Sequence, residues 1–198
     1  MEAGAESPNE PRPAATIILL RRGGRHSQRE LEVLMVKRGE RSSFMPGVWV
    51  FPGGGIEPGE DPAGCAAREL AEETGIELSD DTEILPWSRW ITPEAAPVRF
   101  DTHFLVALAP PHSPPRPDGA EVSEAGWFAP RAALEAGRAG EMKLVFPTIK
   151  NLETLLAYSR SGEVIDAARE RVVEPILPRV VGTPAEHRIL LPGDEGYR

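Results

Sequence analysis

Three glutamates, Glu69, Glu72 and Glu73, are spaced so that an α-helix would bring their carboxylates together. Helical periodicity puts them within an arc of about 100°. The opposite side of such a helix, expected to pack on a sheet, would consist of Ala63, Ala67, Leu70, Ala71 and Thr74. Close carboxylates repel one another, and a hard divalent cation turns that repulsion into ligation because Mg2+ takes oxygen ligands. Taken alone, the pattern is typical of an ordinary solvated acidic face, with a divalent cation site as the alternative.

A run of three glycines, Gly53 to Gly55, precedes the acidic segment. Glycine lets the backbone approach a ligand closely, although a simple turn would use the same residues. The run is not a P-loop, since no Gly-Lys-Ser/Thr follows, and it lacks the G-x-G-x-x-G spacing of a dinucleotide fingerprint. The order of elements is therefore a loop that allows close approach, followed directly by an acidic helix.

The whole segment is Gly54, five residues, Glu60, seven residues, and then Arg68-Glu69-Leu70-Ala71-Glu72-Glu73-Thr74-Gly75-Ile76. It resembles the Nudix box, Gly-x5-Glu-x7-Arg-Glu-apolar-x-Glu-Glu-x-Gly-apolar, with every specified position filled. The resemblance implies an α/β (α+β) fold, a Nudix-type α/β/α sandwich with a mixed β-sheet. It also implies a hydrolase that cleaves the phosphoanhydride of a nucleoside diphosphate linked to another group. Similarity to the wider fold covers Thr16 to Ser159.

The same resemblance assigns roles to individual residues. A divalent cation, Mg2+ or Mn2+, is the implied cofactor. Its expected ligands are Gly54 through its carbonyl, Glu57, Glu60, Glu69, Glu72 and Glu73. Arg68 is expected to pair with a box carboxylate, in the first place Glu60, and to hold the ligands in position.

A general base outside the box is also expected, because Nudix enzymes often take it from a separate loop. Glu121 and Glu124 lie in a Gly-Ala-Glu-Val-Ser-Glu-Ala-Gly-Trp run that resembles the acidic loop of other members. Both are candidates for the base, and the alternative is that they are surface residues. A box glutamate, Glu69, is the remaining candidate.

Two stretches resemble coenzyme A diphosphatases. Arg38, Gly47 and Phe51-Pro52-Gly53-Gly54 have the spacing found upstream of the box in those enzymes, although Ser43 stands where the pattern has an arginine. Trp90-Ile91-Thr92-Pro93 and Arg99-Phe100-Asp101-Thr102-His103-Phe104 resemble the subgroup of the peroxisomal coenzyme A and acyl-coenzyme A diphosphatase of animals, Nudix motif nineteen.

The substrate-binding candidates follow from these stretches, and they are Arg38, Arg41, Trp90 and Arg99. Trp90 could stack on an adenine, with a core tryptophan as the alternative. Arg41 or Arg99 could hold a 3'-phosphate. ADP-ribose or NADH is the alternative substrate. A Nudix-fold sensor that binds a nucleotide without hydrolysing it is disfavoured because all the box carboxylates are kept.

Local signals predict the elements that position these residues. Asp61 as N-cap, Pro62 at the first helical position and Gly75 as a stop predict a helix over Pro62–Thr74. Pro52–Gly55 is expected to interrupt regular secondary structure. Strands are expected at Thr16–Leu20, Leu31–Val36, Gly47–Phe51, Val98–Leu108 and Trp127–Phe128, and further helices at Pro130–Glu135 and Pro147–Ser159.

Three regions are expected along the chain: a disordered tail over 1–13, a Nudix domain over 14–160, and an extension over 161–198 that packs on the domain. The extension is expected to hold strand fragments broken by prolines.

Composition restricts the partners. The net charge of −9 over 198 residues argues against broad binding to nucleic acid. The apolar runs are too short to cross a bilayer, so no membrane partner is expected. Cys65 is the only cysteine, which fits a reducing, cytoplasmic compartment and a packing role for the thiol. The expected partner is a small-molecule nucleoside diphosphate derivative, and a homodimer is left open.

Overall fold

The computed structural model describes residues 10–22, 31–40, 45–183 and 186–197. Arg41, Ser43, the loop expected between the first two strands and most of the expected N-terminal tail lie outside these ranges. Within them the strands are β1 (Arg12–Arg22), β2 (Leu31–Arg38), β3 (Trp49–Val50), β4 (Gly53–Gly55), β5 (Leu85–Ile91), β6 (Phe100–Leu108), β7 (Val122–Phe128), β8 (Pro175–Ile176), β9 (Arg179–Thr183) and β10 (Glu186–Leu190). The helices are α1 (Pro62–Thr74), α2 (Pro130–Ala139), α3 (Phe146–Leu155) and α4 (Ser161–Arg169).

The main sheet is mixed. Its described strands run in the order β3-β2-β1-β6-β5-β8, with β4 paired to β1 and β7 paired to β2. The β1–β6 and β5–β8 pairs are parallel and the other pairs are antiparallel. β9 and β10 form a separate two-stranded sheet. The predicted α/β fold with a mixed sheet is confirmed.

Strand β1 lies at the centre of this sheet and is apolar on both sides. Ile17 and Leu19 pack in one core cluster with residues of α1, whereas Ile18 and Leu20 pack in a second cluster with residues of α2, α3 and α4. A strand that is covered on both faces must be apolar throughout, which accounts for the run at 14–20. The sheet therefore has two faces, the α1 face and the opposite face.

The bounds predicted for α1 are confirmed. The Asp61 side chain accepts a hydrogen bond from the Gly64 N–H at 2.7 Å, and Gly75 adopts the left-handed conformation with φ 67°. These two signals are local, so the sequence alone is sufficient to place both ends.

The side of α1 that packs on the sheet differs from the prediction. The buried residues are Cys65, Ala66, Leu70, Glu73 and Thr74. Glu73 therefore does not share an exposed face with Glu72, and it is only 4% exposed. Gly54 leaves room for the Glu69 carboxylate, and the Gly53 N–H donates a hydrogen bond to Glu73, so this side of the helix can face β4.

Other elements also differ from expectation. Gly53–Gly55 forms a strand and does not only interrupt the secondary structure. It pairs with β1 through Ala15 and Gly54. β1 begins at Arg12, two residues inside the expected tail. β5 was not expected, because its register shifts between Pro86 and Ser88 and obscures the alternation of a regular strand.

The segment after α3 is part of the packed structure. Predicted helix 147–159 ends earlier, at Leu155, and α4 follows, which the sequence did not predict. α4 contributes Val164, Ile165 and Ala168 to the core, and β8 pairs with β5. None of the described helices is long and apolar enough to cross a membrane.

The close contact between β4 and β1 leads to a stability prediction. A Cβ on Gly53 would lie 2.6 Å from the Thr16 Cα, whereas a Cβ on Gly55 would meet nothing within 4 Å. Gly53→Ala should lower the free energy of unfolding by about 1–3 kcal/mol, the usual cost of overpacking. Gly55→Ala, the matched control, should change it by less than about 0.5 kcal/mol. Urea unfolding measures both, and equal effects would show that β4 does not pack this closely.

Candidate active site

The carboxylates of α1 meet the backbone of β4. One Glu73 carboxylate oxygen accepts a hydrogen bond from the Gly53 N–H at 3.1 Å. The Glu69 carboxylate occupies the space where a Cβ on Gly54 would project, with Oε2 2.6 Å from that position. Gly54 thus leaves room for the Glu69 carboxylate, and any side chain at position 54 would displace it.

Arg68 links most of the other carboxylates. Its Nε and Nη2 donate to the two oxygens of Glu60 at 2.9 and 3.1 Å, so the pair expected between these residues is present. Its Nη1 donates to Glu69 at 2.8 Å and to Glu72 at 3.0 Å. The hydrogen bonds from Arg68, together with the Glu57 N–H, hold the pKa of Glu60 below its ordinary value. One guanidinium therefore orients three carboxylates.

Burial perturbs the two carboxylates nearest the sheet. It is the main cause that raises the pKa of Glu73 to about 8, with repulsion from Glu69 and Glu121 adding to it. The Gly53 N–H and Arg38 act in the opposite sense. Burial also raises the pKa of Glu69 above its ordinary value, against the stabilising effect of Arg68. Desolvation that the neighbouring donors and cations do not fully offset therefore disfavours the charged form of both carboxyls.

The register of β7 against β2 distinguishes the two candidate bases, Glu121 and Glu124. On β2, Val33 and Met35 pack in the core of the opposite face, so Lys37 follows on that face. Glu124 is the cross-strand partner of Lys37, and their side chains form an ion pair at 2.8 Å. The structure therefore corrects the expectation for Glu124, which lies across the sheet from the box.

Glu121, in contrast to Glu124, lies near the box. Its charge contributes to the raised pKa of both Glu69 and Glu73, which puts it in electrostatic range of both. Its backbone carbonyl accepts a hydrogen bond from the Gly39 N–H at 2.8 Å, next to Arg38. Of the two glutamates proposed from the sequence, the structure brings only Glu121 to the box.

The donor set fits a hard divalent cation, because it consists of carboxylate and carbonyl oxygens. Within the described ranges, however, no three Asp, Glu, His or Cys side chains already stand in a metal-binding arrangement. Arg68 instead holds Glu69 and Glu72. Glu57 is exposed and contacts Glu60 through its backbone N–H at 3.0 Å. Cation binding would need Glu69 and Glu72 to turn from Arg68 toward Glu73.

Cys65 packs under this site. Its thiol is buried and donates to the Gly55 carbonyl at 3.3 Å, with the Gly54 carbonyl at 3.7 Å. Burial raises the pKa of the thiol to about 11, so it stays protonated at neutral pH. This environment fits the packing role expected for Cys65.

The candidate substrate residues are dispersed. The charge of Arg38 lowers the pKa of Glu73, so Arg38 stays a candidate for the site. Trp90 does not, since it is 6% exposed and packs edge to face on Phe146 at 5.9 Å between ring centroids. The expected base-stacking role of Trp90 is therefore corrected to a core role. The Arg99 Nε donates to the Thr92 carbonyl at 3.0 Å, in the turn between β5 and β6.

The stretch that resembles one coenzyme A subgroup has a structural explanation that the sequence did not reveal. Asp101 forms a bidentate pair with Arg89 on the adjacent strand, at 2.8 and 2.6 Å. The Thr92 hydroxyl accepts a hydrogen bond from the Phe100 N–H at 3.0 Å. These contacts join β5 to β6. His103 is paired with Arg89 in the register, and burial lowers its pKa below the ordinary value.

The buried Glu73 carboxyl leads to a pH prediction for the metal-free protein. Because its folded pKa of about 8 lies above the ordinary 4.5, unfolding releases its proton between these values. Wild-type stability should therefore fall as the pH rises through that window, and Glu73→Gln should remove this loss. In chelator, the variant should gain at least about 1.4 kcal/mol relative to wild type between about pH 5 and pH 8.5.

Urea unfolding at the two pH values measures the gain. Glu72→Gln is the matched control, since its side chain is 61% exposed, and it should shift stability little at either pH. Parallel curves for wild type and Glu73→Gln would show that Glu73 is not desolvated.

Comparisons with known proteins agree with this geometry. The NUDIX domain model matches residues 10–148. A Caenorhabditis elegans protein named "Putative nudix hydrolase 7" is 28% identical over an alignment of 227 residues, which covers 94% of this chain and 74% of that protein. Diphosphoinositol polyphosphate phosphohydrolase 2 of Rattus norvegicus is 52% identical over 50 residues, covering 25% of this chain and 26% of that protein. A NUDIX hydrolase structure from Alicyclobacillus acidocaldarius has a TM-score of 0.71 and 26% identity, and covers 81% of this chain and 97% of that one.

The family match extends well beyond the box. Its range includes the β4 glycines, all of α1 and the loop that carries Glu121. The solved structure extends the likeness to most of both chains. The chain therefore belongs to the NUDIX family and is a Nudix hydrolase.

Proposed function

We propose that this hydrolase cleaves the phosphoanhydride bond of a nucleoside diphosphate derivative in a reaction that depends on Mg2+ or Mn2+. The observation that carries the proposal is the desolvated pair Glu69 and Glu73, which lies against the β4 glycines with Arg38 and Glu121 beside it. Because the site has more carboxyl groups than cationic side chains, it favours the binding of cations. Bound cations would in turn attract an anionic diphosphate.

Glu69, Glu72 and Glu73 would hold the cation, with the Gly54 carbonyl, Glu57 and Glu60 as further ligands. When bound, the cation polarises the diphosphate oxygens and lowers the pKa of water. Arg68 keeps the carboxylates of Glu60, Glu69 and Glu72 within reach of one another through its hydrogen bonds. Its role is to orient the ligands, since its nitrogen atoms are directed at the carboxylates.

Glu121 acts as the general base. It accepts a proton from the attacking water while the water oxygen forms a bond to phosphorus. The bridging oxygen–phosphorus bond breaks, and the bridging oxygen leaves with the other phosphate. Arg38 contacts the phosphoryl oxygens and compensates the charge that develops on them. If Glu121 is not the base, Glu69 is the remaining candidate.

Coenzyme A or an acyl derivative is the proposed substrate. The support lies upstream of the box, where Arg38 and Gly47 form one structural unit. Gly47 has φ 70° and donates its N–H to the Arg38 carbonyl at 3.0 Å, while the Arg38 N–H donates to Val48 at 2.9 Å. These two hydrogen bonds fix the backbone of Arg38, whose charge lowers the pKa of Glu73. Arg41 and Arg99 remain candidates for a 3'-phosphate contact, and ADP-ribose or NADH is the alternative substrate.

Neutral substitutions of the two loop glutamates test the assignment of the base. Glu121→Gln should lower kcat by about 10²-fold or more, the usual contribution of a positioned base, with little change in KM. Glu124→Gln should stay within about twofold of wild type, because Glu124 faces the other side of the sheet. Steady-state kinetics at saturating Mg2+ distinguish the two. If neither variant slows turnover, the base moves to Glu69.

A panel of diphosphates tests the reaction and the substrate together. Coenzyme A, dephospho-coenzyme A, ADP-ribose and NADH are each incubated with Mg2+ or with excess chelator, and products are identified by mass. We expect 3',5'-ADP and 4'-phosphopantetheine from coenzyme A, and no product in chelator. Turnover in chelator would contradict the metal mechanism. A preference for ADP-ribose or NADH of about tenfold, on the order of 1.4 kcal/mol, would overturn the substrate and leave the hydrolase.

A further inference from the structure

The turn that carries Glu121 is built around a single carboxylate. The two oxygens of Asp118 accept hydrogen bonds from two consecutive backbone N–H groups, that of Glu121 at 3.1 Å and that of Val122 at 2.8 Å. The Val122 carbonyl in turn accepts a hydrogen bond from the Gly119 N–H at 3.0 Å. The peptide bond on each side of Glu121 is therefore held by this turn.

The same turn is attached to the helix that carries the box. The Asp118 N–H donates to the Glu73 carbonyl at 3.3 Å, and the Arg116 N–H donates to the Thr74 carbonyl at 2.8 Å. Both carbonyls belong to the last turn of α1, where helical carbonyls lack partners within the helix. The loop thus satisfies the end of α1 and fixes its own distance from the box.

The other side of the turn rests on the end of β2. The Gly39 N–H donates to the Glu121 carbonyl at 2.8 Å. A Cβ on Gly39 would lie 3.2 Å from the Ala120 carbonyl oxygen, so glycine allows this close approach. Gly39 follows Arg38 directly, which links the loop to the other charged residue beside Glu73.

We propose that Asp118 is a positioning residue for Glu121. By holding the backbone on both sides of Glu121, it fixes the position of Glu121 relative to the end of α1, the helix that carries Glu69 and Glu73. Both Asp118 oxygens accept backbone hydrogen bonds, so Asp118 itself is directed at the loop and not at the substrate. The proposal rests on the proposed function, in which Glu121 is the base.

The charge state of Asp118 is consistent with this role. Partial burial opposes its ionisation, but the N–H groups of Glu121, Val122 and Ala120 hold its pKa below the ordinary value. The carboxylate is therefore ionised at neutral pH, when both oxygens can accept. An asparagine could replace only one of them, because its amide nitrogen donates and does not accept.

A double-mutant cycle tests the proposal. We compare kcat and KM for the hydrolysis of coenzyme A, the proposed substrate, at saturating Mg2+. The proteins are wild type, Asp118→Ala, Asp118→Asn, Glu121→Gln and the Asp118→Ala/Glu121→Gln double variant. Ser123→Ala is the matched control, since its hydroxyl contacts only the Lys37 carbonyl, at 3.3 Å, among the contacts described for it. Thermal melting verifies that each variant folds, and Asp118→Asn keeps the test valid if Asp118→Ala does not.

We expect Asp118→Ala to lower kcat by about tenfold or more, with KM changed by less than about threefold. Asp118→Asn should recover part of this loss. In the Glu121→Gln background, Asp118→Ala should have less than about a twofold further effect, because a positioning residue has nothing left to position. Ser123→Ala should match wild type.

The possible failures are distinguishable. The same decrease in kcat for Asp118→Ala in both backgrounds, or none in wild type, would overturn the positioning role and leave Glu121 as the base. A Glu121→Gln variant with wild-type kcat would remove the base assignment and the positioning role with it. The dependence of hydrolysis on Mg2+ is tested separately, by the loss of activity in chelator.

Discussion

Burial of a carboxylate at the contact between a helix and a strand is the constraint on which the site depends. Glu73 is 4% exposed and receives a single described hydrogen bond, from the Gly53 N–H. Arg68 binds Glu60, Glu69 and Glu72 instead. A buried charge without an adequate partner is costly, and the raised pKa of Glu73 reflects this cost. The rest of the fold must be stable enough to hold the group in place.

That stability comes from the two cores on either side of β1. Because β1 is apolar on both faces, it is fixed by α1 above and by three helices below. β4 is paired to it through Ala15 and Gly54, and α1 packs over both strands. The proposed metal ligands therefore lie on packed elements of secondary structure, whereas the proposed base is on a loop. Hydrogen bonds at the end of α1 connect the helix to this loop. The position of the proposed base therefore depends on that attachment as well as on the sequence of the loop.

Some of this arrangement follows from the sequence and some does not. The limits of α1 depend on Asp61, Pro62 and Gly75, which act within one turn, so they could be predicted. The choice between Glu121 and Glu124 depends on the register of β7 against β2, strands that lie more than 80 residues apart in the chain. The burial of Trp90 likewise depends on Phe146, a distant partner. The packed face of α1 also differs from the one that polarity predicts, because it includes Glu73, a charged residue buried against Gly53.

The charge of the site gives the strongest physical reason for the proposed cation. In the box, one guanidinium, that of Arg68, faces three carboxylates, and Glu73 lies beside them without an ion-pair partner among the contacts described for it. A diphosphate brings further negative charge, and Arg38 alone would not balance it. In a site that is partly shielded from water, like charges repel more strongly than they do at an exposed surface. An anionic substrate therefore needs cations to enter at all, before any chemistry occurs. In the proposed reaction, a shared metal ion makes the acidic helix compatible with an anionic substrate.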